Sequence, residues 1–213
     1  MVRNCAPAAP CILRDFAATN AYGTVVSSTL LVTPVLNAPP ALVTVKSRKI
    51  HGAAGAQFLT INATATINGA ISIEPRGSGS ASHTIVFYFN GAVTSVGAVT
   101  AKDANGIDVG TVSVNRVGNS VEVNLLGVPD NKRITISFPG VNGSATVFQS
   151  SLGFLVGDLN NTGSVNASDI NAVKARVGQT TTAANFRFDV NASGLIDGAD
   201  ISAVKARSGL VLP

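Results

Sequence analysis

Tryptophan is absent from this chain, aromatic residues make up 5% of it, charged residues only 12%, and there is one methionine. Each shortage excludes something. A glycosidase sets two carboxylates in a roomy cleft whose aromatic walls grip sugar, and here the acidic residues number 11. Five of these, Asp158, Asp169, Asp189, Asp197 and Asp200, fall in two loops discussed below. Others, Glu74, Asp103, Asp108, Glu122 and Asp130 among them, are dispersed over turns and strands. Net charge is only +4, with Lys and Arg scattered, so the basic stripe and stacking rings of a nucleic-acid surface are missing. No apolar run approaches the roughly 20 residues that cross a bilayer. Cys5 and Cys11 lie far from His51 and His83, which makes a poor zinc set. Spacing leaves open whether the cysteines pair locally or stay separate.

Nucleophile chemistry finds no foothold either. There is no Gly-x-Ser-x-Gly elbow, and Gly77-Ser-Gly-Ser80 reads as a flexible turn. Arg48, Lys49, His51, Glu74 and Arg76 are the one grouping able to do acid/base work, with His51 and Glu74 as a proton-transfer pair. Without a third orienting partner, they read instead as turn-forming polar residues and a salt bridge at a sheet edge. The chain is therefore read as non-catalytic.

What is abundant is Gly, Ala, Val, Thr, Ser and Asn, and 46% of residues are hydrophobic. That is the composition of a β-rich extracellular protein. Strands are expected at Ala41–Lys46, Phe58–Asn62, Ile71–Glu74, His83–Phe89, Val96–Ala101, Thr111–Arg116, Ser120–Leu125 and Arg133–Phe138, with a polar loop over Ser47–Gly55. Turn signals recur about every ten residues, at Asn90-Gly, Asn105-Gly, Gly118-Asn, Pro129-Asp-Asn and Asn142-Gly. This spacing predicts an antiparallel sandwich. Asn37-Ala-Pro-Pro40 reads as a linker.

The C-terminal part carries a repeat. Asp158-Leu-Asn-Asn-Thr-Gly-Ser-Val-Asn-Ala-Ser-Asp169 and Asp189-Val-Asn-Ala-Ser-Gly-Leu-Ile-Asp-Gly-Ala-Asp200 each place oxygen side chains at loop positions 1, 3, 5, 9 and 12, with Gly at 6. That is calcium-loop spacing, because a hard cation needing six to eight oxygens forces a short chain to curl around it. The expected ligands are Asp158, Asn160, Thr162, the Ser164 carbonyl, Asn166 and Asp169 in one loop. In the other they are Asp189, Asn191, Ser193, the Leu195 carbonyl, Asp197 and Asp200. Two Ca2+ ions follow, and the second loop, with one carboxylate more, is expected to fill first. Behind each loop comes a short helix, Asp169-Ile-Asn-Ala-Val-Lys-Ala-Arg-Val-Gly178 or Asp200-Ile-Ser-Ala-Val-Lys-Ala-Arg-Ser-Gly209. Ile170 with Val173, and Ile201 with Val204, make the buried stripe. Lys174, Arg176, Lys205 and Arg207 remain for the outer face, and Gly178 and Gly209 for left-handed caps.

A duplicated loop and helix without an entering helix resembles the type I dockerin domain over residues 157–209. The resemblance implies a calcium-stabilised pair of half-EF-hands whose outer faces bind a cohesin domain, through Ala167, Ser168 and Lys174 in one copy and Gly198, Ala199 and Lys205 in the other. Ala167-Ser168 keeps half of the hydroxyl pair common in cellulosomal dockerins, and Gly198-Ala199 none of it. Ser47-Arg-Lys-x-His-Gly-x-Ala-Gly55, Glu74-x-Arg76 and Ser120-Val-Glu-Val-Asn-Leu-x-Gly-Val128 resemble a β-sandwich module that precedes such tails in secreted proteins of environmental bacteria. Phe16–Thr33 is similar to the last hairpin of an immunoglobulin-like repeat.

The resulting expectation is a mainly β chain with a small all-α tail, an antiparallel immunoglobulin-like β-sandwich followed by the calcium pair. Residues 1–36 form the end of an incomplete repeat, 37–44 a linker, 45–150 the sandwich module and 151–213 the dockerin-like domain. The chain is read as a monomer, extracellular or at the cell surface, taking no nucleic acid and not entering a membrane. Because Met1–Pro10 lacks a signal-peptide core, it is read as part of a longer parent, which the dockerin resemblance implies is polysaccharide-associated. The alternative is a calcium-stabilised structural or sorting terminus with no cohesin partner. Chelation is expected to unfold the tail and spare the sandwich.

Overall fold

Two compact units, Met1–Ala38 and Pro39–Pro213, divide the chain. The structure, a computed structural model, describes the backbone of residues 11–13, 17–19, 25–27 and 30–32 and the whole of residues 39–77 and 82–213. In the first unit, β1 (Cys11–Leu13) pairs antiparallel with β4 (Leu30–Val32), and β2 (Ala17–Thr19) with β3 (Val25–Ser27). The residues that would turn the hairpin expected over Phe16–Thr33, and the pairing of Cys5 with Cys11, lie outside the described residues.

The second unit opens on β5 (Leu42–Ile50), inside the stretch 37–44, and continues through β6 (Ala56–Ile61), β7 (Ser72–Glu74), β8 (His83–Phe89) and β9 (Thr100–Lys102). Then come β10 (Thr111–Val117), β11 (Ser120–Leu126), β12 (Lys132–Pro139) and β13 (Val147–Phe154). A five-stranded antiparallel sheet has the order β10-β11-β8-β5-β6, and a four-stranded sheet the order β7-β13-β12-β9. Alternation drives both. In β8 and β11 the residues Ile85, Phe87, Phe89, Val121, Val123 and Leu125 point inward, and they meet Ile134, Ile136, Phe138, Leu152 and Phe154 of the other sheet in one buried cluster.

Three expectations need correction. First, β5 runs on through Ser47-Arg-Lys-Ile50, where the polar sequence predicts a loop. Charge does not break this strand because Ser47 and Lys49 turn inward, while Arg48 reaches across β8 to Glu122 of β11. Second, the strand expected at Val96–Ala101 shrinks to Thr100–Lys102, since Gly97 gives its N–H to the Pro139 carbonyl at 2.8 Å in a loop crossing. Third, the sheet is not wholly antiparallel: β7 lies parallel to β13. No hairpin connects these two, so no turn sets their relative direction.

β13 delivers the chain into the tail, where α1 (Ala167–Lys174) and α2 (Gly198–Lys205) each follow a loop. A single 3-10 turn, Phe186–Phe188, precedes the second loop in place of an entering helix. Each loop pairs with the segment beyond the other's helix: Ser164 bridges Val211, and Thr180 bridges Leu195. Gly178 and Gly209, both with left-handed φ, end the turns after the helices. Val173 and Val204 are fully buried between the halves. Arg176 and Arg207 do not stay on the outer face. Arg176 folds back to the Ala172 carbonyl and stacks on Phe188, 3.7 Å above its ring, and Arg207 pairs with Asp130 of the sandwich at 3.1 Å.

His83, the first residue of β8, lies against Phe154, their ring centres 4.2 Å apart, and its Nδ1 has no hydrogen-bond partner among the described residues. Burial holds its pKa down at about 3, with the Lys49 and Arg76 charges adding to the drop and Glu74 opposing it. An unfolded His takes its proton near pH 6.5. Between those values the unfolded chain binds more protons, so this group's contribution to stability falls as the pH drops below about 6.5. His83→Leu should remove that part of the slope. Urea midpoints at pH 7 and pH 5 should show the wild type losing about 1–2 kcal/mol more than the variant over this interval; equal losses would contradict the assignment.

Candidate metal centres

The two loops are wired alike. In the first, Asp158 accepts the Thr162 N–H on Oδ1 at 3.0 Å and the Gly163 N–H on Oδ2 at 2.8 Å, while Asn160 Oδ1 shares the Thr162 N–H at 3.2 Å. In the second, Asp189 accepts Ser193 N–H at 2.9 Å and Gly194 N–H at 2.8 Å, with Asn191 Oδ1 on Ser193 N–H at 2.9 Å. The position-5 hydroxyl donates to the position-7 carbonyl in both, Thr162 to Ser164 at 3.3 Å and Ser193 to Leu195 at 3.0 Å. Position 12 closes each loop: Asp169 accepts the N–H of Leu159 and of Asn166, and Asp200 the N–H of Asn191 and of Asp197. Hydrogen bonds thus tie position 1 to position 5, position 3 to position 5 and position 5 to position 7 in each loop, and position 12 holds the start of the loop to the start of its helix.

Position 9 does something else. Asn166 and Asp197 are the N-caps of α1 and α2, accepting the Ser168 and Ala199 N–H groups in reciprocal capping boxes with Asp169 and Asp200. Their oxygens face the helix start, an arrangement suited to reaching a cation through water. Among the described residues, no group of three or more His, Cys, Asp or Glu gathers at a metal-sized point. The donors are a mixed set of carboxylate, amide, hydroxyl and carbonyl oxygens, the chemistry of calcium and not of zinc.

Electrostatics tests the fit. Asp158, Asp169, Asp189 and Asp200 are all buried. Burial pushes the Asp158 carboxyl up, and the Asp169 charge pushes it further against the pull of the loop N–H groups. Burial also raises Asp200, helped by the Asp189 and Asp197 charges. Among the described residues, Asp158, Asp169 and Asp200 have no ion-pair partner. A desolvated carboxylate held near a second one is what a bound divalent ion relieves, and the Arg187 cation also feels the Asp158 charge without forming an ion pair with it. Asp189 departs from this pattern. Burial works to raise it, but hydrogen bonds from His51, Thr181 and Gly194 outweigh that and hold it low.

Ala167, Ser168, Lys174, Gly198, Ala199 and Lys205 are all exposed on or beside the helices. The pair suggested for proton transfer is not joined: His51 and Glu74 each bond to Arg76 rather than to each other, with all three side chains at 0% exposure. Two contacts of the tail had no signal in the sequence. Thr181 donates to Asp189 Oδ2 at 2.6 Å, and Asn161, at loop position 4, caps β7 by accepting the Ile73 N–H at 2.7 Å.

Residues 156–207, about a quarter of the chain, match the family model of the dockerin type I domain. Such domains are non-catalytic modules that bind calcium and dock onto cohesins, typically on extracellular or cell-surface proteins. No curated protein matches the chain. Among the described residues, no helix is long and apolar enough to cross a membrane.

Proposed function

We propose that residues 157–209 hold two calcium ions, one per loop, and present the outer faces of α1 and α2 to a cohesin-type protein, attaching a secreted, polysaccharide-associated multidomain parent to its partner. The sandwich, which we read as immunoglobulin-like and non-catalytic, carries the tail. The matched wiring of the two loops supports this best: the same hydrogen-bond pattern forms around Asp158 and around Asp189, while the residues in line for partner contact are exposed. Asp158, Asn160, Thr162, the Ser164 carbonyl and Asp169 are the direct ligands proposed for the first ion. Asp189, Asn191, Ser193, the Leu195 carbonyl and Asp200 are those for the second, and Asn166 and Asp197 act through water.

One observation favours the other reading, a calcium-clamped terminus without a cohesin. Ile73 of β7 and Ile71 just before it share a core with Leu155, Val165, Ile196 and Leu212, so the tail is seated on the sandwich. Capture on immobilised type I cohesins separates the two. Retention in calcium that is lost in EGTA supports docking; stabilisation by calcium with no retention on any cohesin supports the clamp. Asp169→Ala together with Asp200→Ala should abolish both effects.

A further inference from the structure

The two loops share their ligand spacing and wiring, yet among the described residues only the second has donors from outside itself on its first carboxylate. The alternation of β5 buries Val45, Ser47 and Lys49 and carries on to His51, whose ring is fully enclosed. His51 Nδ1 lies 2.8 Å from Asp189 Oδ2, and Nε2 lies 3.2 Å from Arg76 Nη1. A guanidinium has only donors, so Nε2 accepts, the ring proton sits on Nδ1, and His51 donates to Asp189. Thr181 and the Gly194 N–H donate to the same oxygen at 2.6 and 2.8 Å. With Oδ2 accepting three hydrogen bonds, Asp189 has Oδ1 to turn toward the loop interior. Asp158, by contrast, takes its hydrogen bonds from Thr162 and Gly163 of its own loop.

Backbone packing seals the same joint. A Cβ on Gly52, whose φ is +46°, would collide with the Ser193 carbonyl oxygen, and one on Gly194 would lie 2.9 Å from the His51 carbonyl oxygen. Gly77 also donates its N–H to the Val190 carbonyl at 2.8 Å. The turn after β5 and the second loop are thus in main-chain contact at the point where His51 meets Asp189.

We propose that His51, a sandwich residue, is a positioning residue for the second calcium loop, fixing the rotamer of Asp189 so that this loop's affinity depends on the sandwich while that of the first loop does not. The proposal rests on the calcium reading given above. It makes two loops with the same ligand spacing depend differently on the sandwich. It also accounts for a fully buried imidazole that bonds to an arginine on one side and a loop carboxylate on the other. Loss of a partner that orients a ligand typically weakens metal binding about 10–100-fold.

The test uses the full chain and two polar replacements. In His51→Asn the amide nitrogen falls near the place of Nδ1 and can still donate to Asp189. In His51→Gln it falls near Nε2, on the Arg76 side. Calcium is titrated by calorimetry in each variant and in wild type, alone and with the first loop disabled by Asp158→Ala and Asp169→Ala. The expected result is a second-loop affinity about tenfold or more weaker in His51→Gln, near wild type in His51→Asn, and an unchanged first loop in both. Amide exchange in EGTA gives a metal-free readout: the Ser193 and Gly194 N–H groups should exchange faster in His51→Gln than in His51→Asn. Equal affinities in all three proteins, or equal weakening of both loops, would overturn the proposal while leaving the calcium reading intact. A wild-type chain whose second loop takes no calcium would sink both, and the wild-type titration alone reveals it.

Discussion

Chelating calcium is expected to lower the melting temperature of the whole unit Pro39–Pro213 in a single transition, instead of melting the tail and sparing the sandwich. The tail looks separable on its sequence, because a segment of that size with few large apolar residues normally needs a metal to fold. The structure removes the separation. Gly153 of β13 faces Leu212, and Asn161 pins the backbone at Ile71, just before β7, and at Ile73 within it. Arg133 of β12 holds the Pro213 carbonyl, and Asp130 receives both the Val156 N–H and the Arg207 guanidinium. Elements that share a core and this many polar ties unfold together. Calcium at about a thousandfold its dissociation constant adds about 4 kcal/mol per site, and a domain of this length shifts by about 2–4 °C per kcal/mol. Two sites should therefore move the transition by about 15 °C or more. Calorimetry in calcium and in EGTA reads it directly. Two resolved transitions of which only one responds to calcium would restore the independent tail.

The parts of this protein that were legible in its sequence are those whose spacing is dictated locally. Cation chemistry sets the loop positions, and duplication repeats them at Asp158 and Asp189. The helix stripes Ile170/Val173 and Ile201/Val204 repeat with them. Strands such as His83–Phe89 announce themselves through β-branched and aromatic alternation. What was not legible depends on partners far along the chain. β13 reads Val147-Phe-Gln-Ser-Ser-Leu-Gly-Phe154, with a polar middle, and becomes a central strand only because β7 and β12 flank it. Arg48 and Lys49 suggest a turn until Glu122 and the Ser82 carbonyl are seen to receive them. Asn166 and Asp197 carry ligand-type side chains at a ligand position, and the capping of the helices claims them first. His51 and Asp189 are 138 residues apart, so no local pattern signals their contact.

Replacing Arg76 by methionine is expected to cost about 3–5 kcal/mol, the usual penalty for leaving a buried charge without its partner. Arg76 is fully buried, and its guanidinium spends every N–H it has. Nε and Nη2 grip the two oxygens of Glu74 at 2.7 and 2.8 Å, Nη2 also reaches the Ser47 carbonyl, and Nη1 serves the Gln57 carbonyl and His51 Nε2. Its cation lies 5.0 Å from the centre of the Phe186 ring, just ahead of the second loop. Burial works to raise the Glu74 pKa, but the Arg76 charge and hydrogen bonds bring it down to about 2. In the wild type this pair therefore contributes stability above about pH 4.5, which is lost as the pH falls toward 2. Without Arg76 the carboxyl of Glu74 takes up a proton more readily, so the deficit of the variant should narrow on acidification from pH 7 to pH 4. Glu74→Leu in the Arg76→Met background removes the stranded charge and should recover a large part of the loss, though not all of it, because the Ser47 and Gln57 carbonyls and His51 still lack their donor. Urea unfolding of the two single variants and the double variant closes the cycle. A single variant within 1 kcal/mol of wild type, or a double variant no more stable than Arg76→Met alone, would show that this buried pair does not hold the joint between sandwich and tail.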